Sequence, residues 1–167
     1  MFFCWLVSSL LLYGTDEPQP ATGLPPAWQG TWKGTMVIHG PAGQRSDVPL
    51  VFRVAPLPGS TALTWVMTYG TGEKTMVKDY KLVPVPGKPG RFQIDEKNGI
   101  TLDARLADQV LYSQFGVGKA LLTARYELRG DTLWFEVTSA QPAPTKTGGQ
   151  VQGYIVDVVQ AAALKKQ

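Results

Sequence analysis

Short runs of alternating apolar and polar residues recur every ten to fifteen residues between Gly30 and Gln160, each closed by Gly, Pro or Asn-Gly. Alternation puts successive side chains on opposite faces of a strand, and turn residues at this spacing leave little room for helix. A chain of many short strands joined by tight turns must hide its sheet edges, and closing on itself is the usual way. The expected fold is all-β: a single antiparallel up-and-down β-barrel of about 8–10 strands. The 18 glycines and 13 prolines of the 167 residues suit so many turns.

Ten strands are expected, at Gly30–His39, Asp47–Ala55, Ala62–Tyr69, Thr75–Val85, Arg91–Glu96, Ile100–Leu106, Val110–Val117, Ala120–Arg129, Thr132–Ser139 and Val151–Gln160. Asn98-Gly99 reads as a type I′ hairpin turn, since both residues tolerate positive φ. The polar stretch Gln141–Gln150 is the longest loop and is expected to move. Trp32, Met36 and Ile38 share one face of the first strand, and Leu63, Trp65, Met67 and Tyr69 one face of the third. Most strands thus pair a continuous apolar face with a polar one, the pattern of a sheet wrapped round its own core.

The ends read differently. Residues 2–13 form an apolar run too short to span a bilayer, which takes about 20 residues, but of signal-peptide length. Residues 1–14 are read as a signal peptide, 15–26 as a Pro-rich linker, 27–160 as the barrel and 161–167 as a tail, either a short helical turn or a frayed end. Export to the periplasm or out of the cell follows from the first of these, and membrane contact is expected only through an uncleaved N-terminal segment. The single cysteine, Cys4, lies in that segment, so the barrel can hold no disulfide or thiolate metal site.

Gln29-Gly30-Thr31-Trp32-Lys33-Gly34 opens the first strand, and its Gly-x-Trp resembles the first signature of lipocalins and their calycin relatives. The resemblance implies a calycin-like barrel whose Trp closes the bottom, with Arg125 or Arg129 as the late cation packed on it. Asp79-Tyr80 is similar to the lipocalin Thr-Asp-Tyr signature, with Lys78 where that family has Thr. The same opening is similar to that of nitrobindin-type haem barrels, which use a late His as iron ligand, and this chain has no His after His39. No cofactor is expected.

His39, the only histidine, ends the first strand beside a turn and is read as structural or solvated; one His makes no usual zinc site. No Gly-x-Ser-x-Gly elbow, no Ser-His-Asp set and no phosphate-cradling loop occurs, so the protein is read as a non-enzyme. Asp157 shares its face with apolar residues and would need a partner such as Arg53 or Arg125 if that face were interior. The net charge of +3 comes from scattered residues without a basic stripe, which speaks against nucleic acid. The aromatic residues remain. Trp65, Tyr69 and Tyr80 stand at apolar-face positions of neighbouring strands, and in a wide barrel would line a cavity for a small hydrophobic or amphipathic ligand. In a narrow barrel they are core, and the protein would be a filled envelope scaffold acting through its surface.

Overall fold

A computed structural model describes residues 23–143 and 151–167. The expectations for residues 1–22, signal peptide and most of the linker, lie outside the described residues, as does the expected loop where it covers residues 144–150.

Ten strands form one closed barrel. They are β1 (Gly30–His39), β2 (Arg45–Pro56), β3 (Leu63–Tyr69), β4 (Met76–Pro84), β5 (Arg91–Asp95), β6 (Thr101–Ala107), β7 (Val110–Val117), β8 (Ala120–Arg129), β9 (Thr132–Pro142) and β10 (Tyr154–Lys166). Every strand pairs antiparallel with its sequence neighbours, and β10 closes the ring on β1. The outward positions carry Lys33, Arg53, Asp79, Arg105 and Glu136, all exposed, while the apolar positions turn inward.

The barrel has a packed end and an open end. At the packed end a single 3-10 turn, Pro26–Trp28, lays Trp28 under the strands, and the Trp32 indole N–H donates to the Trp28 carbonyl at 2.9 Å. Trp28, Trp32 and Trp65 have no solvent exposure, and Leu24 joins the same core. The domain therefore starts before Ala27, because Leu24 and Trp28 supply its floor. Trp65 stands among rings, with Phe52 at 4.6 Å, Tyr126 at 5.0 Å and Trp28 at 6.4 Å between centroids. The indole N–H of Trp28 is buried without a hydrogen-bond partner among the described residues, a cost of about 1–3 kcal/mol that this ring packing must offset.

The cation over Trp32 is neither Arg125 nor Arg129. Lys166 takes that place, its Nζ 5.1 Å from the ring centroid and donating to the Ala27 carbonyl at 3.0 Å. Both arginines lie on the outer wall of β8, paired with Glu127, and Arg129 covers Trp134 at 5.3 Å.

The last strand corrects the expected tail. β10 runs to Lys166, so residues 161–166 are barrel wall and neither a helical turn nor a frayed end. Trp32 faces Lys166 and Met36 faces Ala162 across the seam. Ala161 to Leu164 is good helix-forming sequence, but pairing with both β1 and β9 satisfies its backbone and overrides that propensity. A bulge between Val156 and Val158 shifts the register. Asp157 is its extra residue and, among the described residues, forms no ion pair with Arg53 or Arg125. The bulge is why the expected face of Asp157 does not hold.

The β5–β6 turn also differs. Glu96 N–H donates to the Ile100 carbonyl at 3.0 Å and closes a three-residue tip, with positive φ at Lys97 (60°) and Gly99 (92°) but not at Asn98. The Asn98 side chain instead accepts from the Ile100 N–H at 2.9 Å.

Candidate functional site

Side-chain size along the inward faces decides where the barrel is full. Toward the packed end the inward residues are Trp, Phe and Leu. Toward the other end Met, Val, Ile and Ala mix with Leu, Phe and Tyr without filling the interior, and a cavity of about 480 Å³ remains. Met67, Tyr126 and Phe135 form its floor, belonging to both the core cluster and the lining. Met36, Ile38, Leu102, Phe115, Leu122 and Val137 are among the residues of its walls. The volume falls within the range of pockets that hold small organic molecules. A space of this size counts against a filled core in this half of the barrel.

Few polar groups face this space. Tyr69 and Tyr80 line it, as do Lys78, Glu96, Ser113, Tyr126 and Gln160. Ser113 is spoken for, its hydroxyl donating to the Asp103 carbonyl at 2.8 Å. The Tyr69 hydroxyl donates to the Met67 sulfur at 3.1 Å, a weak acceptor. Tyr80 donates to the Glu96 carboxylate. Burial first, and then that neighbouring charge, push the Tyr80 phenol up from 10.0 to about 12. Burial likewise raises Tyr69 and Tyr126. Lys78 sits at the exposed lip and takes part in no ion pair among the described residues. Its neighbour Asp79 points to the outer face, where Lys97 binds it at 2.6 Å.

Of the three expected site residues, the structure brings Tyr69 and Tyr80 to the cavity. Trp65 does not reach it. Opposite Tyr80 in the β3–β4 ladder, Trp65 is sealed beneath the floor by Phe52 and Tyr126, with no exposed surface. Its alternation was read correctly, but alternation gives the face and not the height along the barrel. Lys78 and Glu96 were missed. Lys78 has the same parity as Met76 and Tyr80, so the signal was present but masked by its charge. Glu96 follows the last residue of β5 and comes opposite Tyr80 when the Lys81–Asp95 pairing is continued by one step. His39 is exposed at the end of β1. Among the described residues, no three His, Cys, Asp or Glu side chains gather.

No family model and no curated protein matches this sequence. Among solved structures of similar fold is the S-type phycobiliprotein lyase CPES from Guillardia theta. It is 8% identical, with a TM-score of 0.62 over 84% of this chain and 89% of that one. Another is a protein of unknown function from the DUF3598 family of Nostoc punctiforme PCC 73102. It is 12% identical, with a TM-score of 0.59 over 90% of this chain and 53% of that one. This chain therefore spans about half the length of the second protein. At these identities the likeness is one of fold, a closed ten-stranded calycin-like barrel.

Proposed function

We propose that this protein is an exported barrel that holds a small hydrophobic or amphipathic ligand in its open half. The observation that carries the reading is the cavity of about 480 Å³, walled by aliphatic and aromatic side chains and open at one end. An apolar molecule placed there leaves water at about 25 cal/mol per Å² of buried surface. Tyr69 and Tyr80 offer phenol hydroxyls to a polar part, and Lys78 offers a charge at the lip. The apolar run at residues 2–13 supports export. The fold likeness to a protein named as a lyase is compatible with a barrel built round a ligand.

Displacement of a fluorescent fatty-acid-like probe tests this. Binding in the micromolar range is expected, about −8 kcal/mol, with Tyr80→Phe and Tyr69→Phe weakening ligands that carry a polar group more than purely apolar ones. If a broad panel of apolar and amphipathic ligands leaves the melting temperature and the probe signal unchanged, the reading is wrong. Export is tested separately by the mass of the mature chain.

A second reading, favoured by the lyase-named fold and by the hydrogen-bonded Tyr80–Glu96 pair inside the cavity, is that the barrel acts on the molecule it holds. It requires that a ligand recovered after incubation be chemically altered, and that Glu96→Gln stop the alteration without stopping binding.

A further inference from the structure

An up-and-down barrel sends alternate hairpins to opposite ends, and here the two ends differ in what they expose. Met76, Val77, Ile100, Val117, Ile155 and Val156 are each about half exposed. They lie at the start of β4, on the β5–β6 tip, at the β7–β8 tip and at the start of β10, all at the open end. In the strand order of the barrel these positions span the arc from β10 through β7 and β6 to β4. The β1–β2 tip that continues the ring, residues 40–44, carries no charge. The hairpins of the packed end are as exposed, but they present Ser60, Lys88, Asp108, Gln109 and Asp131 and no large exposed hydrophobic residue. Singly exposed apolar residues are ordinary, whereas a ring of them at one end marks a contact surface.

We infer that this apolar rim docks on an anionic phospholipid surface, so that the mouth of the cavity opens against the bilayer. Three features favour lipid over a protein partner. The apolar residues surround a hole, and a rigid protein face would leave that hole unfilled at the centre of the contact, where interfaces are best packed. A bilayer interface is fluid and follows separate tips. The tips also carry Lys74, Lys97 and Lys119 against the carboxylates Glu73 and Glu96, with Lys97 held by Asp79. Lys74, Lys78 and Lys119 form no ion pair among the described residues, which leaves them for lipid phosphates. Finally, aliphatic side chains beside lysines and the half-exposed Tyr154 are the composition that settles at the headgroup boundary. This route to a membrane is separate from the N-terminal segment. It adds to the carrier reading a way for an apolar ligand to enter without crossing water, but the surface stands on its own observation.

The test uses the full chain with Cys4→Ser and one environment-sensitive label, at Val117→Cys, Ile100→Cys or, on the packed end, Gln109→Cys. Vesicles of phosphatidylcholine with phosphatidylglycerol are added, and no ligand is needed, so the result does not depend on the cavity being a binding site. The labels at 117 and 100 are expected to shift to the blue and to be quenched by brominated lipid, and the label at 109 to stay unchanged. With the label at 117, Ile100→Asp combined with Ile155→Asp should lower partition at least tenfold at an unchanged melting temperature. Residues 2–13 are present throughout, so their own affinity for lipid cancels. Unshifted rim labels, or an equal shift at 109, overturn the proposal. So does a shift at 117 that grows with protein concentration in the absence of lipid, which would make the rim a contact between copies of this chain. Equal partition onto phosphatidylcholine alone overturns the part given to the lysines.

Discussion

Trp32 shows how much one residue arranges. Its ring has no exposed surface, its indole N–H is held by the Trp28 carbonyl, and the last lysine of the final strand lies over it. Trp32→Ala should cost about 3–5 kcal/mol in urea melts, the range for a buried aromatic cut back to Ala. A loss under about 1 kcal/mol would show that the packed end does not depend on it. Trp65→Ala belongs to the same class. It should destabilise by a similar amount, about 3–5 kcal/mol, and any effect on ligand binding should follow that loss because Tyr126 lies between Trp65 and the cavity. Tyr80 gives a pH signature. Its phenol ionises at 10.0 ordinarily and at about 12 in the fold, so the fold favours the protonated form. The stability this gives is complete below pH 10 and is lost as pH rises through about 12. Melting temperature should fall across that window, and Tyr80→Phe should remove part of the fall. An identical profile in the variant would show that the phenol is not held as described. At this scale the sequence showed which residues face inward, through parity. It did not show that Lys166 would cover Trp32, because that contact joins residues from opposite ends of the chain.

At the scale of elements, the seam between β1 and β10 is where local and distant forces disagree. Gly30 and Gly34 flank Trp32. A Cβ on Gly34 would stand 2.6 Å from the Ala163 carbonyl, and one on Gly30 would stand 2.8 Å from the Lys166 side chain at a φ of 141°. The glycines let the last strand come close enough to close the ring, which is the physical content of the Gly-x-Trp-x-Gly opening. Deleting residues 161–167 should therefore abolish cooperative unfolding, since the lower half of β1 would lose its partner strand and become an open edge. A truncated chain that melts like the parent would mean that the seam is dispensable. Most strands were legible within a residue or two because alternation and turn chemistry are local. The end of β10 was not. Ala161, Ala163, Ala162 and Leu164 offer no contrast between faces, so periodicity had nothing to register. The hairpin at Asn98-Gly99 was seen, but its dihedrals were set by the Glu96–Ile100 closing bond, which dipeptide preference does not encode.

As a whole the molecule is half core and half vessel. Filling the open half should separate stability from binding: Val137→Trp, at the cavity wall, should cut affinity for an apolar probe at least tenfold while leaving the melting temperature unchanged or higher. Retained binding with the cavity filled would place the ligand elsewhere. The sequence by itself determined the class of fold, about how many strands it has and most of the inward apolar set, because these follow from the two-residue period of a strand and from Gly, Pro and Asn at the turns. It could not determine whether the barrel is hollow. Hollowness depends on which inward residues stand at the same height around the ring, a property of register and closure that couples residues far apart in the chain. Tertiary structure decided that the large rings gather at one end, that Trp65 falls below the floor while Tyr69 and Tyr80 stay above it, and that the exposed aliphatic tips share one rim. These outcomes depend on how ten strands are staggered around a closed circle.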